Sequence, residues 1–498
     1  MRRTSEMRRT SKVFATLAAL ALVVAACGDD DDDDAEDTAT ATTEAATATT
    51  AAPVTTEAAT EETSAPATEE TSAPATEAPE TTEAATAIAP EDIATDVGVD
   101  ATTIKVGMLA DLSGAFAPLV TEIVEAQRVY WDKVNADGGI AGRQIELVIE
   151  DNGYDVATQQ EKYEALRNEV AIFSQSTGSP HTAAIAPNLV ADDLIAIPLS
   201  WYSGWAFGEL GQNALESYTN YCFESMNGLE WLNKNREVQT VAIISFPGEY
   251  GGDGAAGAAK AAEALGLEVV FDGTAQVTPP SADNPNPDQT AIISQIVESN
   301  PDAVWATINP TTLGAIMGGA VSQGYQGIWS GNSPTYSFKL LGTDLAPLLD
   351  QYYIASTYIV TWGSDVPGMQ EVVDEMTAAR PDLPVSDVYI LGWTEGEITR
   401  AVLEKAAENG DMTRAGIVAA ASEVEVDFNG LAPPQTWGGE PNDFAVRESY
   451  IYDVTLEAFN PIPLGEGEGS TGWELLEGPY VSDIVEAYDF TEPCFVSG

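Results

Sequence analysis

The chain is 498 residues long and carries 20 basic against 79 acidic residues, a net charge of −59. A surface of that sign repels polyphosphates and anionic headgroups, so nucleic acid and anionic lipid are excluded as partners, and the acid excess is read as a solubility feature. His181 is the one histidine and the three cysteines have no metal-ligand spacing, which argues against a zinc site, a Ser/His/Asp hydrolase and any bound metal or cofactor.

The first element is a leader. Arg2, Arg3, Arg8, Arg9 and Lys12 precede an apolar run over residues 13–26, about half of what spans a bilayer, and Val24-Ala25-Ala26-Cys27 forms a lipobox followed at once by six aspartates. Cleavage after residue 26 and lipidation of Cys27 would anchor the mature chain to the outer face of the cell membrane. An ordinary secretory signal with an incidental cysteine is the plainer alternative. A twin-arginine route is set aside because no Phe-Leu follows the arginines, and Met7 opens a near copy of the first six residues and could be the true start. Residues 27–99 then run in Ala, Thr, Glu and Pro with short echoes, without Lys or Arg and with few large apolar residues. Such a stretch cannot bury a core and is expected to be a disordered acidic tether.

From about Asp100 the composition becomes that of a folded body. Strands are expected at 104–110, 145–150, 170–174 and 195–199. Helices are expected after the first strand, on the stripe of Leu119, Ile123, Ala126, Tyr130 and Val134, and at 156–167 and 180–191. Alternation of this kind implies a parallel sheet covered on both faces. A second set repeats the plan, with strands at 241–245, 268–272, 303–308, 328–330 and 353–360 and helices at 251–265, 289–298 and 312–323. A long helix over 385–409, another at 413–423 and a hairpin through 448–459 follow. The expected fold class is α/β, two doubly wound parallel-sheet lobes joined by a multi-strand hinge. The lobes are divided as residues 100–236 with 362–430, and 237–361 with 431–498, closing on a cleft. With Cys27 taken by lipid, Cys222 and Cys494 remain as a pair; an oxidising compartment would join them, and two buried thiols are the alternative.

Ligands bind beyond the carboxyl ends of parallel strands, so the loops there are the candidates. Ser176, Thr177 and Ser179 follow the third strand, with Ser179-Pro180 reading as a helix N-cap where an anion would be welcome. Ser200, Trp201, Tyr202 and Ser203 follow the fourth and put aromatic rings and hydroxyls on a loop. Across the cleft come Tyr250, Thr311 and Asn332. No phosphate loop, dinucleotide fingerprint or nucleophile elbow follows a strand, so a binding protein explains these residues better than an enzyme.

At Ile104-Lys105-Val106-Gly107, Leu112-Ser113-Gly114, the run from Asn135 through Gly138-Gly139 to Ile145, Glu150-Asp151, Tyr250-Gly251 and Ser386-Asp387-Val388-Tyr389 the chain resembles ABC-transporter substrate-binding proteins of the branched-chain amino acid and amide-urea class, with the type I periplasmic binding fold. The resemblance spans about Asp100 to Phe459. It implies a ligand carboxylate held by the loops at Ser176–Ser179 and Ser200–Ser203, a tyrosine at Tyr250 closing from the other lobe, and contacts from 309–312. It also implies partners: a small solute and the permease subunits of an ABC importer, with the receptor a monomer. Amino-acid binders of this family place an acid near Asn332 to pair the ligand ammonium. A neutral Asn cannot do this, so an amide, urea-like compound, carboxylate or aromatic acid ranks beside an amino acid unless Glu249 or Asp253 supplies the charge. The alternative function is a surface lipoprotein that uses the same fold as a sensor or envelope scaffold.

Overall fold

Four parallel strands form the first sheet: β1 (Thr103–Ala110), β2 (Gln144–Asp151), β3 (Ile172–Thr177) and β4 (Ala196–Leu199). Their order is β2-β1-β3-β4, with Ile104 opposite Ile145 and Val106 opposite Ile172. The crossovers are α1 (Ala117–Ala136), α2 (Val156–Leu166) and α3 (Ser179–Ala191). Helix α1 buries Val120, Ile123, Gln127, Tyr130 and Val134 on one face, the three-to-four spacing that places side chains over one another. The protein is described by a computed structural model covering residues 88–497 apart from residue 212; the expected leader, Cys27 and the tether up to residue 87 lie outside the described residues.

Helix α4 (Tyr221–Arg236) leads to the second sheet, made of β5 (Thr240–Ser245), β6 (Glu268–Gly273), β7 (Ala303–Thr307) and β8 (Ile328–Gly331). Its order, β6-β5-β7-β8, repeats that of the first sheet, again all parallel. The helices between them are α5 (Glu249–Leu265), α6 (Thr290–Ser299) and α7 (Pro310–Ser322). Sequence periodicity misses α4 because nearly its whole surface, from Tyr221 to Leu232, is buried, so no polar face marks the helix. It packs against α5 so closely that a Cβ at Gly257 would lie 2.3 Å from the carbonyl oxygen of Cys222. Cys222 is bonded to Cys494 across 272 residues, which holds the C-terminal tail to this helix.

The remaining elements join the lobes. Strand β9 (Ile354–Thr357) touches the second sheet only through a single parallel bridge from Tyr353 to Trp329, where the run over 353–360 suggested a full further strand. It pairs antiparallel with β10 (Ser449–Asn460), which pairs in turn with β11 (Ser470–Tyr480). The expected hairpin within 448–459 is thus one long strand, and its partner lies beyond a turn at 461–469. Local alternation cannot tell a strand that closes on itself from one that waits for a distant partner. Helices α8 (Met369–Ala379), α9 (Val388–Glu408) and α10 (Arg414–Ala421) return the chain to the first lobe. There α9 crosses α1 closely enough that a Cβ at Gly392 would meet the Ile123 carbonyl oxygen at 2.2 Å. The folded body also begins ahead of Asp100: Ala94–Thr95 pairs in parallel with Asp411–Met412, and the Arg143 guanidinium donates to the carbonyls of Pro90 and Asp100. Among the described residues no helix is long and apolar enough to cross a membrane.

Candidate functional site

Strand β3 ends at Thr177 and turns through Gly178 into α3. Gly178, not Ser179, is the N-cap, with φ +98, and Ser179 is the first helical residue. Glycine is required there twice over: the backbone lies in the left-handed region, and a Cβ would sit 2.4 Å from His181 Nδ1 and 2.9 Å from the Tyr154 ring. No side chain caps this helix start, so its first amides are left for a ligand. The Ser179 hydroxyl shares a 2.7 Å hydrogen bond with that of Ser200, which also accepts from the Trp205 indole.

A cavity of about 90 Å3 begins at this turn and runs between the lobes toward the hinge. Thr177, Ser179 and Trp201 line it from the first lobe, Tyr250 from the second, and Tyr221 from α4, which packs on α5 of the second lobe although the expected division at residue 236 put it in the first. Beyond them aromatic and aliphatic residues predominate, interrupted by Ser333, Ser337, Thr357, Thr361 and Asp387. Phe116 lies tilted against Tyr154 at 4.8 Å and edge-on to Tyr250 at 6.1 Å, Trp201 lies tilted on Tyr358 at 4.3 Å, and Tyr336 meets Trp473 edge-on at 5.0 Å. Leu119, Val120 and Ile123 of α1 and Val388 and Leu391 of α9 complete that side, and neither Lys nor Arg lines it. The lobes are latched over it by Asn309, whose amide caps α7 and donates to the Ala115 carbonyl, and by Lys339, paired with Glu122 at 2.8 Å.

The other residues singled out in the sequence lie behind this wall or away from it. Ser176 is bonded to Gln159 and Thr182 inside the first lobe. Tyr202 donates to the carbonyl of Phe495, and Ser203 binds Asp253 and accepts from the Cys494 amide, so this pair anchors the C-terminal tail. Thr311 is exposed. Asn332 is fully buried, its amide donating to Tyr221 O and Glu224 Oε2 and its carbonyl oxygen accepting from Thr307 and Ser225. Tyr250 lines the cavity with its ring, while its hydroxyl donates to Ile308 O.

One acid lies behind this wall and another lines it. Glu224 accepts from Asn332 and from the Ser333 amide, both at 2.9 Å, and burial without a cationic partner pushes its carboxyl up to about 8. Asp387 lines the cavity and is pushed up to about 6 by burial, while accepting from Trp362 N, Thr471 Oγ1 and Trp473 Nε1. Sequence reasoning did not find Glu224, since it reaches Asn332 only through the packing of α4 behind β8. Phe116, Tyr154, Tyr336, Tyr358 and Trp473 were also missed, because an aromatic residue facing a cavity has the same local pattern as one facing a core. Among the described residues no cluster of His, Cys, Asp and Glu is placed to hold a metal ion.

Comparison with known proteins places this geometry. The family described as "Periplasmic binding protein" matches residues 103–458. No curated protein matches the chain. A fatty acid ABC transporter substrate-binding protein from Thermomonospora curvata superposes with a TM-score of 0.72 and 28% identity, over 81% of this chain and 98% of that one. A branched-chain amino acid ABC transporter protein from Thermus thermophilus with bound valine gives 0.64 and 17%, over 79% and 99%. A branched-chain amino acid transporter substrate binding protein from Streptococcus pneumoniae in complex with isoleucine gives 0.60 and 18%, over 75% and 99%. Two parallel sheets of the same strand order, an antiparallel sheet formed by later parts of the chain and a match over most of the folded body agree: the chain belongs to the periplasmic binding protein family, with the type I fold.

Proposed function

We propose that the protein is an extracytoplasmic receptor, anchored through Cys27, that captures a monocarboxylic acid with an apolar body and delivers it to the permease of an ABC importer. The observation that carries this is the polarity of the cavity: an uncapped helix start with the hydroxyls of Thr177 and Ser179 at one end, and elsewhere a lining in which aromatic and aliphatic residues outnumber the hydroxyls of Ser333, Ser337, Thr357 and Thr361 and the carboxyl of Asp387. Amides and hydroxyls at a helix start suit a carboxylate in a site without Lys or Arg. An α-amino acid fits less well. Its ammonium would need an ionised acid; Glu224 stands behind the wall with its carboxyl pushed up to about 8 by burial, and Asp387, the acid that lines the cavity, is already engaged by the Trp362 amide, the Thr471 hydroxyl and the Trp473 indole. The similarity to a substrate-binding protein for fatty acids supports the same class. The disulfide supports an oxidising compartment, and closure of the lobes involves no covalent chemistry.

Thermal unfolding against a panel of fatty acids, aromatic acids, aliphatic amino acids, amides and urea tests this. A ligand at one hundred times its dissociation constant stabilises by about 2.7 kcal/mol. Stabilisation by apolar carboxylates but not by amino acids is expected, and a response confined to amino acids, amides or urea would overturn it. A folded protein that responds to none of them would assign the cleft to the sensor or scaffold role.

A further inference from the structure

The cavity has a thin wall on its hinge side. Val360, Thr361 and Trp473 line it and also line a second, roomier hollow of about 780 Å3 that opens on the hinge sheet. Trp473 is the partition: its indole donates to Asp387 on the cavity side and packs edge-on against Tyr336 on one flank and Tyr452, a residue of the second hollow, on the other. Much of the second hollow is apolar, with Ala432, Pro434, Tyr450 and Leu475 along it. Leu475 is 51% exposed there, a large aliphatic side chain left uncovered on a strand. Asp365 and Glu448 stand in the same hollow.

We propose that this hollow is a tail subsite, which makes the solute a long unbranched monocarboxylic acid. The proposal rests on the carboxylate reading of the inner cavity. The inner cavity is tight, so it takes the carboxylate and the first carbons; the rest of the chain crosses the shared wall at Val360 and Thr361, which requires the Trp473 indole to turn aside, and lies on Leu475, Tyr450 and Ala432. Each methylene moved from water onto such a lining is worth roughly fourfold in affinity. A second carboxylate at the far end would meet Asp365 and Glu448, so a dicarboxylic acid is rejected.

Calorimetric titration of the full chain with octanoic, dodecanoic and hexadecanoic acids, and with hexadecanedioic acid, tests the assignment in the native protein and in Leu475→Asp. Leu475 is half exposed, so the charge enters the groove without entering the core. In the native protein affinity is expected to climb through hexadecanoate and to fall by tenfold or more for the diacid. In Leu475→Asp octanoate should bind as before, while hexadecanoate loses most of its advantage over it. An unchanged length profile in the variant, or equal binding of the mono- and diacid, overturns the tail subsite while leaving the carboxylate site standing. Failure of every acid to bind the native protein overturns the carboxylate reading itself, and the tail subsite falls with it.

Discussion

Replacing Glu224 by Gln should flatten the dependence of stability on pH. Glu224 is wholly buried, its carboxyl is pushed up to about 8 from an ordinary 4.5, and its two neighbours at hydrogen-bond distance, Asn332 and the Ser333 amide, are neutral donors. Between those two values the folded protein keeps a proton that the unfolded chain has released. Stability is therefore fully present below the unfolded value and is lost as pH rises toward the folded one. Over two pH units inside that window a single group of this kind accounts for about 2.7 kcal/mol. A folded body of roughly 400 residues has an unfolding entropy near 0.8 kcal/mol/K, so this amounts to about 3 °C in Tm. Glu216, Asp253 and Glu397, pushed up to about 8, 7 and 8, shift in the same sense, so the native protein should melt progressively lower from pH 5.5 to pH 7.5. The Gln variant cannot present an acceptor to both donors, so its baseline falls as well; the difference in slope, read by calorimetry at several pH values, isolates the titration. Parallel slopes in the two proteins would refute the uncompensated burial of this acid.

Four further outcomes are expected. Ser179→Ala removes one hydroxyl from the helix start and should weaken carboxylate binding by about 0.5–1.5 kcal/mol with little change in Tm, measured by calorimetric titration; unchanged affinity would remove Ser179 from the site. Cys222→Ser with Cys494→Ser frees a link spanning 272 residues and should lower stability by about 2–5 kcal/mol in denaturant unfolding, an effect that reductant should reproduce in the native protein. Asn309→Ala deletes both the cap of α7 and the bond to Ala115, and should cost about 1 kcal/mol and shift the ligand-free protein toward a more open form in small-angle scattering. Cys27→Ser should move the protein from the membrane fraction to the soluble extracytoplasmic fraction, and retention on the membrane would refute lipid anchoring at that residue.

Much of the architecture follows from patterns that are local in sequence. The runs at Thr103–Ala110 and Thr240–Ser245 are apolar over nearly every residue because both faces of a parallel sheet are covered, and the stripe on α1 is periodic because one face is not. Repetition of that alternation specified two lobes, and the turns after the strands pointed to loops of which that at Thr177–Ser179 lines the cavity. The loop at Thr177–Ser179 could be found in this way because strand end, glycine and helix start are contiguous. What depends on distant partners had no local signal. Strand β9 joined the hinge and not the second sheet because β10, almost a hundred residues later, supplies its hydrogen bonds. Asn332 looked like a neutral substitute for an acid, yet its amide lies against the carboxyl of Glu224, more than a hundred residues earlier. The residues that make the cavity apolar are drawn from α1, the segment after β9, α9 and β11, and only the packing of these elements brings them together. Hydrophobic periodicity records that a side chain leaves water, whereas the surface it meets, core or ligand, is decided by how the elements pack.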